Sequence, residues 1–72
     1  MANKDICIRF GERLRKLRQS KGWTQSYMAV HTGIGRAHIS NLETGKKEVG
    51  LRTLEILADS FGMSLPKLLS RL

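Results

Sequence analysis

Residues 24–45 read TQSYMAVHTGIGRAHISNLETG and contain two short helical patterns separated by a glycine. Thr24 is a good N-cap residue, so the first pattern predicts a helix over 24–32. Gly33 stops that helix, because glycine adopts the left-handed backbone of a sharp turn at no steric cost. The second pattern predicts a helix over 36–44, with Ile39 and Leu42 facing inward. The stretch therefore predicts two short helices joined by a tight turn.

Helical periodicity continues on both sides of this stretch. A helix over 5–20 is predicted by apolar residues at spacings of three and four: Ile6, Phe10, Leu14 and Leu17. The basic residues between them are expected on its solvent-exposed faces: Arg9, Arg13, Arg15, Lys16 and Arg18. A helix over 51–61 is predicted by a second buried stripe: Leu51, Leu54, Leu57, Ala58 and Phe61. Ser64 caps a fifth helix over 64–71. We expect residues 1–72 to form one all-α, compact five-helix domain.

Charge is the strongest compositional signal. The 72 residues include 13 Lys and Arg against six acids, which gives a net charge of +7. This balance favours a polyanionic partner such as nucleic acid, although a merely soluble basic surface is the alternative. The single cysteine, Cys7, forms no internal disulfide, and the sequence contains neither a signal peptide nor a membrane span. We therefore expect a cytoplasmic protein, associated with the nucleoid of a bacterial or phage-type host.

Residues across 10–69 match the pattern of one known family. The central matches are Gln25, Ala29, Gly33, Ile34, Ile39, Ser40, Leu42, Glu43 and Gly45. This pattern resembles the helix-turn-helix domains of phage repressors and Cro-like proteins, the XRE family. The run 36–40 is most similar to small stand-alone members, including controller proteins of restriction–modification systems. The resemblance implies a lambda-repressor-like fold and a sequence-specific double-stranded DNA-binding transcriptional regulator, a repressor or autoregulator.

The second helix of the pair is the candidate recognition helix. The spacing of its outward residues places small or hydrogen-bonding side chains on one face. Arg36 can fork to the O6 and N7 atoms of guanine, and Asn41 can pair with an adenine edge. The candidate base contacts are Arg36, Ala37, His38, Ser40 and Asn41. For Arg36 a phosphate contact is the alternative, and His38 is otherwise a flanking surface residue.

Candidate phosphate contacts surround this helix. They are Arg18, Gln25, Thr44, Lys46 and Lys47. The resemblance implies that Gln25 reaches a backbone phosphate and that Arg18 pairs with Glu43, which would hold the arginine toward the phosphates. Structural support is expected from Glu43, from Ala29 at the crossing of the two short helices, and from Gly33 in the turn.

A homodimer on a pseudo-palindromic site is expected, because one recognition helix reads too few base pairs to find one site in a genome. The apolar residues that are surplus to the core lie toward the end of the chain. They place the candidate interface on Ile56, Met63, Leu65 and Leu72, although a core role is an equal alternative for Met63.

Other functional classes have less support. No catalytic motif or phosphate-binding glycine loop is present, so an enzyme is not expected. Two histidines and one cysteine cannot form a four-ligand zinc site, and no cofactor or small-molecule ligand is evident. A membrane-surface role for the basic first helix is disfavoured, because its apolar stripe has partners within the chain. The main alternative is a protein–protein adaptor or antitoxin-type module, which should carry apolar anchors on the outward face of the recognition helix.

Overall fold

The computed structural model describes residues 4–72 and is all-helical over that range. Its five helices are α1 (Ile6–Ser20), α2 (Gln25–Thr32), α3 (Arg36–Glu43), α4 (Leu51–Phe61) and α5 (Leu65–Leu68). The predicted all-α, five-helix fold is confirmed.

Three side-chain caps explain where helices begin. The Asp5 carboxylate accepts the Cys7 N–H at 2.8 Å at the start of α1. The Thr24 hydroxyl accepts the Tyr27 N–H at 3.0 Å, and Ser64 caps α5. Each cap satisfies a backbone donor that has no partner within its helix.

All five helices contribute to the core. Its fully buried side chains are Leu14, Met28, Ile39, Leu42, Leu57 and Leu68. Two residues predicted for the buried stripes are exposed instead, Ile6 by 56% and Leu51 by 82%. Each is the first residue of its helix. The buried part of each stripe starts one turn later, at Phe10 and Leu54, where neighbouring helices cover it.

Trp23 ties the turn before α2 to the end of α4. Its ring stacks on Phe61 at 5.4 Å and also lies 5.0 Å from the His31 ring. Aromatic pairs at these separations add to the free energy gained from burial alone. The contact therefore holds α2 against α4.

The predicted fifth helix is too long. It was expected over 64–71, but α5 ends at Leu68 and Arg71 has a left-handed backbone, with φ of 66°. The carbonyls of Lys67 and Leu68 accept hydrogen bonds from the Arg13 guanidinium, at 2.8 and 3.0 Å. Because these carbonyls accept hydrogen bonds from α1, the chain can turn away from the helix axis after Leu68. Arg13 is accordingly half-buried rather than on a solvent-exposed face of α1.

The helices α1 and α3 approach each other closely at Gly11, which the sequence analysis did not single out. A Cβ atom there would lie 2.5 Å from the carbonyl oxygens of both Leu42 and Glu43. Those oxygens belong to the backbone of α3 and cannot move aside cheaply. Gly11 therefore lets the C-terminal end of α3 rest directly on α1.

Gly11→Ala should destabilise the protein by about 1–3 kcal/mol, because the added methyl group forces α1 and α3 apart. The expected sign is opposite to that of an ordinary glycine inside a helix, where alanine stabilises by about 0.5–1 kcal/mol. Urea unfolding followed by circular dichroism measures the change, with Gln19→Ala, an exposed position on α1, as the control. A Gly11→Ala variant more stable than the parent would contradict the close approach.

Candidate DNA-binding interface

The turn between α2 and α3 is defined by one glycine and one threonine. Gly33 has φ of 76°, and its N–H donates to the Ala29 carbonyl at 2.9 Å. The Thr32 hydroxyl donates to the Met28 carbonyl at 2.7 Å and accepts the Ile34 N–H at 3.1 Å. The sequence analysis passed over Thr32, although a threonine one residue before a turn glycine is a known local hydrogen-bonding pattern.

The outward face of α3 carries the candidate base contacts. Ile39, Leu42 and Glu43 are the buried residues of this helix. On its other faces the side chains of Arg36, Ala37 and His38 are exposed, while Ser40 and Asn41 are half-buried. The accessible surface of α3 is therefore built from small, polar or cationic side chains.

A buried ion pair joins α3 to α1. The Arg18 Nε atom donates to Glu43 Oε2 at 2.6 Å, and the Arg18 Nη2 atom donates to Glu43 Oε1 at 3.1 Å. The side chains are only 11% and 3% exposed. The Gln25 amide, at the first position of α2, donates to the same Glu43 Oε1 at 3.1 Å. One carboxylate thus holds the beginning of α2 and the end of α3 against α1.

This geometry does not support the expected phosphate contact of Arg18. Its third nitrogen, Nη1, donates to the Trp23 carbonyl at 2.7 Å, so every nitrogen of the guanidinium is engaged inside the protein. Two N–H groups of Arg18 and one of Gln25 are not used in these bonds, but the Arg18 side chain is only 11% exposed. This geometry favours a structural role for Arg18, while the half-buried Gln25 stays a candidate phosphate contact.

Thr44 lies at the C-cap position of α3. Its hydroxyl donates to the Ser40 carbonyl at 2.9 Å and lies 3.3 Å from the Asn41 carbonyl. A phosphate oxygen accepts hydrogen bonds, so a contact with DNA requires this hydroxyl to leave its carbonyl partners. Thr44 is exposed, but the geometry of its donor favours capping over phosphate binding.

The loop after α3 presents two exposed lysines, Lys46 and Lys47. The loop begins at Gly45, which has φ of 75°. Gly45 packs closely on Ile8, because a Cβ atom added at Gly45 would lie 2.7 Å from Ile8 Cγ1. The Lys46 N–H also donates to the Asn41 carbonyl at 2.9 Å. The backbone of the loop is therefore anchored where it leaves α3, while both ammonium groups extend into solvent.

Charge is distributed unevenly along the chain. Residues 13–42 contain six Lys or Arg and no acid. Outside this range the Lys4 ammonium binds Glu12 at 2.7 Å, and this hydrogen bond lowers the pKa of the Glu12 carboxyl. Partial burial raises the pKa of the Cys7 thiol, and the nearby Asp5 carboxylate raises it further. The acid-free segment includes the whole α2–turn–α3 unit up to Leu42, so an approaching polyanion meets little repulsion there.

The four candidate dimer residues fall into two groups. Ile56 is 39% exposed and Leu65 is 40% exposed, so both present apolar surface to solvent. Met63 and Leu72 are partly buried and pack against the core. Leu69, which the sequence analysis did not include, is 37% exposed and bonds by its N–H to the Leu65 carbonyl. That i to i+4 bond places Leu65 and Leu69 on one face, and the spacing of the two leucines was the available signal.

Within residues 4–72 no three His, Cys, Asp or Glu side chains gather where they could hold a metal ion. None of the helices described is long and apolar enough to cross a membrane.

A short helix, a sharp glycine turn and a second helix with an exposed polar face define a helix-turn-helix domain. A family model described as Helix-turn-helix matches residues 14–68. The chain therefore belongs to the helix-turn-helix family, and its resemblance to phage repressor and Cro-type (XRE) domains is confirmed.

Individual relatives agree with this assignment. Over 67 residues the chain is 39% identical to the control protein C.MunI of a Mycoplasma species, covering 92% of this chain and 90% of that one. Over 60 residues it is 47% identical to the uncharacterized SPbeta prophage-derived HTH-type transcriptional regulator YonR of Bacillus subtilis strain 168. That match covers 83% of this chain but only 56% of YonR.

A solved structure is also similar. The restriction-modification controller protein C.AhdI from Aeromonas hydrophila superposes with a TM-score of 0.81 at 32% identity. The superposition covers 86% of this chain and 94% of C.AhdI.

Proposed function

We propose that this protein is a sequence-specific regulator of transcription that inserts α3 into the major groove of double-stranded DNA. The observation that carries the proposal is the accessible face of α3, which is polar and cationic and is held rigidly by the Arg18–Glu43 pair. Base edges are read by such hydrogen-bonding groups on a helix that fits the groove. The acid-free segment 13–42 supplies the attraction to phosphates that most DNA-binding affinity requires.

Base readout is assigned to the first turns of α3. Arg36 is exposed at the first position of the helix, from which a guanidinium can donate two hydrogen bonds to guanine. Asn41 can pair with adenine, and the Ala37 methyl group can contact a thymine methyl. Ser40 and His38 are placed to add further contacts along the same helix.

Phosphate contacts are assigned to the two lysines of the loop and to Gln25. Lys46 and Lys47 extend from an anchored backbone, so their ammonium groups can act as clamps. Gln25 lies at the N-terminus of α2, where the positive end of the helix dipole favours an anion. Arg18 acts indirectly, because it holds Glu43 and thereby the geometry of both short helices.

The relatives support regulation of transcription over the adaptor or antitoxin alternative. C.MunI is named as a control protein and YonR as an HTH-type transcriptional regulator. An adaptor needs large apolar anchors on its docking helix. The accessible residues of α3 are small, polar or cationic, so that helix suits base edges better than an apolar protein groove. On this proposal the protein acts without catalysis, by occupying DNA in the cytoplasm of a bacterial cell.

The working species on this proposal is a homodimer that binds a pseudo-palindromic site. The recognition face is occupied by DNA, so the pairing face has to lie elsewhere. The exposed apolar side chains of Ile56, Leu65 and Leu69 supply it along α4 and α5. Met63 and Leu72 are partly buried and pack against the core, so on this proposal they support the pairing surface.

Arg36→Ala and Lys47→Ala separate base reading from phosphate binding. Binding of both variants is measured on a duplex that the parent selects from a random pool and on a random duplex. Arg36→Ala should cost about 1–3 kcal/mol on the selected duplex and little on the random one. Lys47→Ala should weaken both duplexes about equally and reduce the salt slope by about one. Equal losses on both duplexes for Arg36→Ala would make Arg36 a phosphate contact.

Ile56→Glu and Leu65→Glu should abolish self-association, because each places a charge in an apolar contact that loses water on pairing. Sedimentation equilibrium at micromolar concentration measures the loss, and circular dichroism checks that the variants are folded. Val30→Glu is the matched control, since Val30 is 86% exposed and lies on α2, which carries none of the proposed pairing residues. Self-association of both interface variants at the parent's level would place the interface elsewhere.

A further inference from the structure

Two arginines of α1 hold the segment that follows α4. Arg13 Nε donates to the Leu68 carbonyl at 3.0 Å, and Arg13 Nη2 donates to the Lys67 carbonyl at 2.8 Å and to Ser70 Oγ at 3.2 Å. One turn earlier, Arg9 Nη1 donates to the Leu72 carbonyl. The residues that accept these bonds lie 54 to 63 positions further along the chain.

The α5 segment needs this support, because a helix of four residues has no stability of its own. Ser64 fixes where it begins, and the buried Leu68 anchors one side chain in the core. α5 also packs against α4. The Arg13 fork adds two donors that engage successive carbonyls at the end of the helix, which restricts its rotation and tilt.

The same α1 helix holds the recognition helix. Gly11 lies against the Leu42 and Glu43 carbonyls of α3, and Arg18 pairs with Glu43. Arg13 therefore stands between two contacts with α3 along α1 and binds α5 instead. α1 therefore connects the DNA-reading surface to the end of α5, beside the packing of α5 on α4 and of α4 on α2.

We infer that Arg13 is a positioning residue that fixes the separation of the two recognition helices in the dimer, and with it the half-site spacing that the protein accepts. The inference rests on the proposed homodimer, in which Leu65 of α5 and Leu69 directly after it form part of the pairing face. Two recognition helices must be about 34–36 Å apart to enter successive major grooves on one side of the duplex. A small tilt of α5 at the pairing face becomes a larger displacement at α3, so the orientation of α5 decides which spacings fit.

Lysine cannot reproduce the contact. A guanidinium offers several N–H donors in one rigid plane, whereas an ammonium group acts as a single flexible point charge. Arg13→Lys keeps the charge but loses the two-carbonyl fork, so it should relax the spacing in the same direction as Arg13→Gln. The two variants together separate the geometric effect from the loss of charge.

The test measures affinity for a set of duplexes that contain the selected half-sites at spacings changed one base pair at a time. The parent should lose about tenfold or more in affinity at one base pair from its optimum. Arg13→Gln and Arg13→Lys should bind neighbouring spacings within a few-fold of one another. Arg15→Gln is the matched control, because it removes the same charge from an exposed position on α1. It should weaken all spacings together and keep the parent's optimum.

Three results are informative. A broadened spacing profile in both Arg13 variants supports the inference when Arg13→Gln binds an isolated half-site about as tightly as the Arg15→Gln control does. A sharp optimum identical to the parent's in either Arg13 variant that is folded by circular dichroism overturns it and leaves the homodimer standing. A parent that binds an isolated half-site as tightly as any paired site overturns the homodimer itself, and the inference with it.

Discussion

The contact between Arg18 and Glu43 determines how the two short helices are presented. A carboxylate that is 3% exposed is stable only when its charge is paired and its oxygens are hydrogen-bonded. Glu43 meets both conditions, since one oxygen accepts from Arg18 and the other accepts from Arg18 and Gln25. Three helices therefore converge on one buried charge. A displacement of any of them leaves that charge unpaired, so the contact specifies one arrangement rather than several.

The remaining architecture follows from the demands of a small domain. With 72 residues there is little apolar surface to bury, and the helices are brought close together at the few places where they touch. Gly11 permits backbone contact between α1 and α3, and Trp23 ties α2 to α4. The outward face of α3 is therefore not needed for packing, so its side chains are available for contact with DNA. The longest helix, α1, acts as the scaffold for the recognition helix and for α5.

Local patterns predicted most of this fold, because helix periods, caps and turn glycines act within a few residues. They identified all five helices and the buried stripes of α1 and α4 beyond their first residues. Tertiary contacts were less accessible. The role of Gly11 depends on where α3 crosses α1, and the bonds of Arg13 depend on carbonyls more than 50 positions away. For Arg18 the family pattern gave the correct partner, Glu43. Only the geometry shows that each of the three guanidinium nitrogens of Arg18 donates a hydrogen bond within the protein.

The central claim is that the buried pair holds the helix-turn-helix together, and the urea unfolding of Glu43→Gln tests it directly. The substitution keeps the shape of the side chain but leaves the Arg18 charge without its counter-ion. The account predicts a loss of about 3 kcal/mol or more in the free energy of unfolding. Glu55→Gln, which removes an exposed carboxylate on α4, should change it by less than about 0.5 kcal/mol. A loss below about 1 kcal/mol for Glu43→Gln would contradict the account, because such a value is typical of an exposed ion pair.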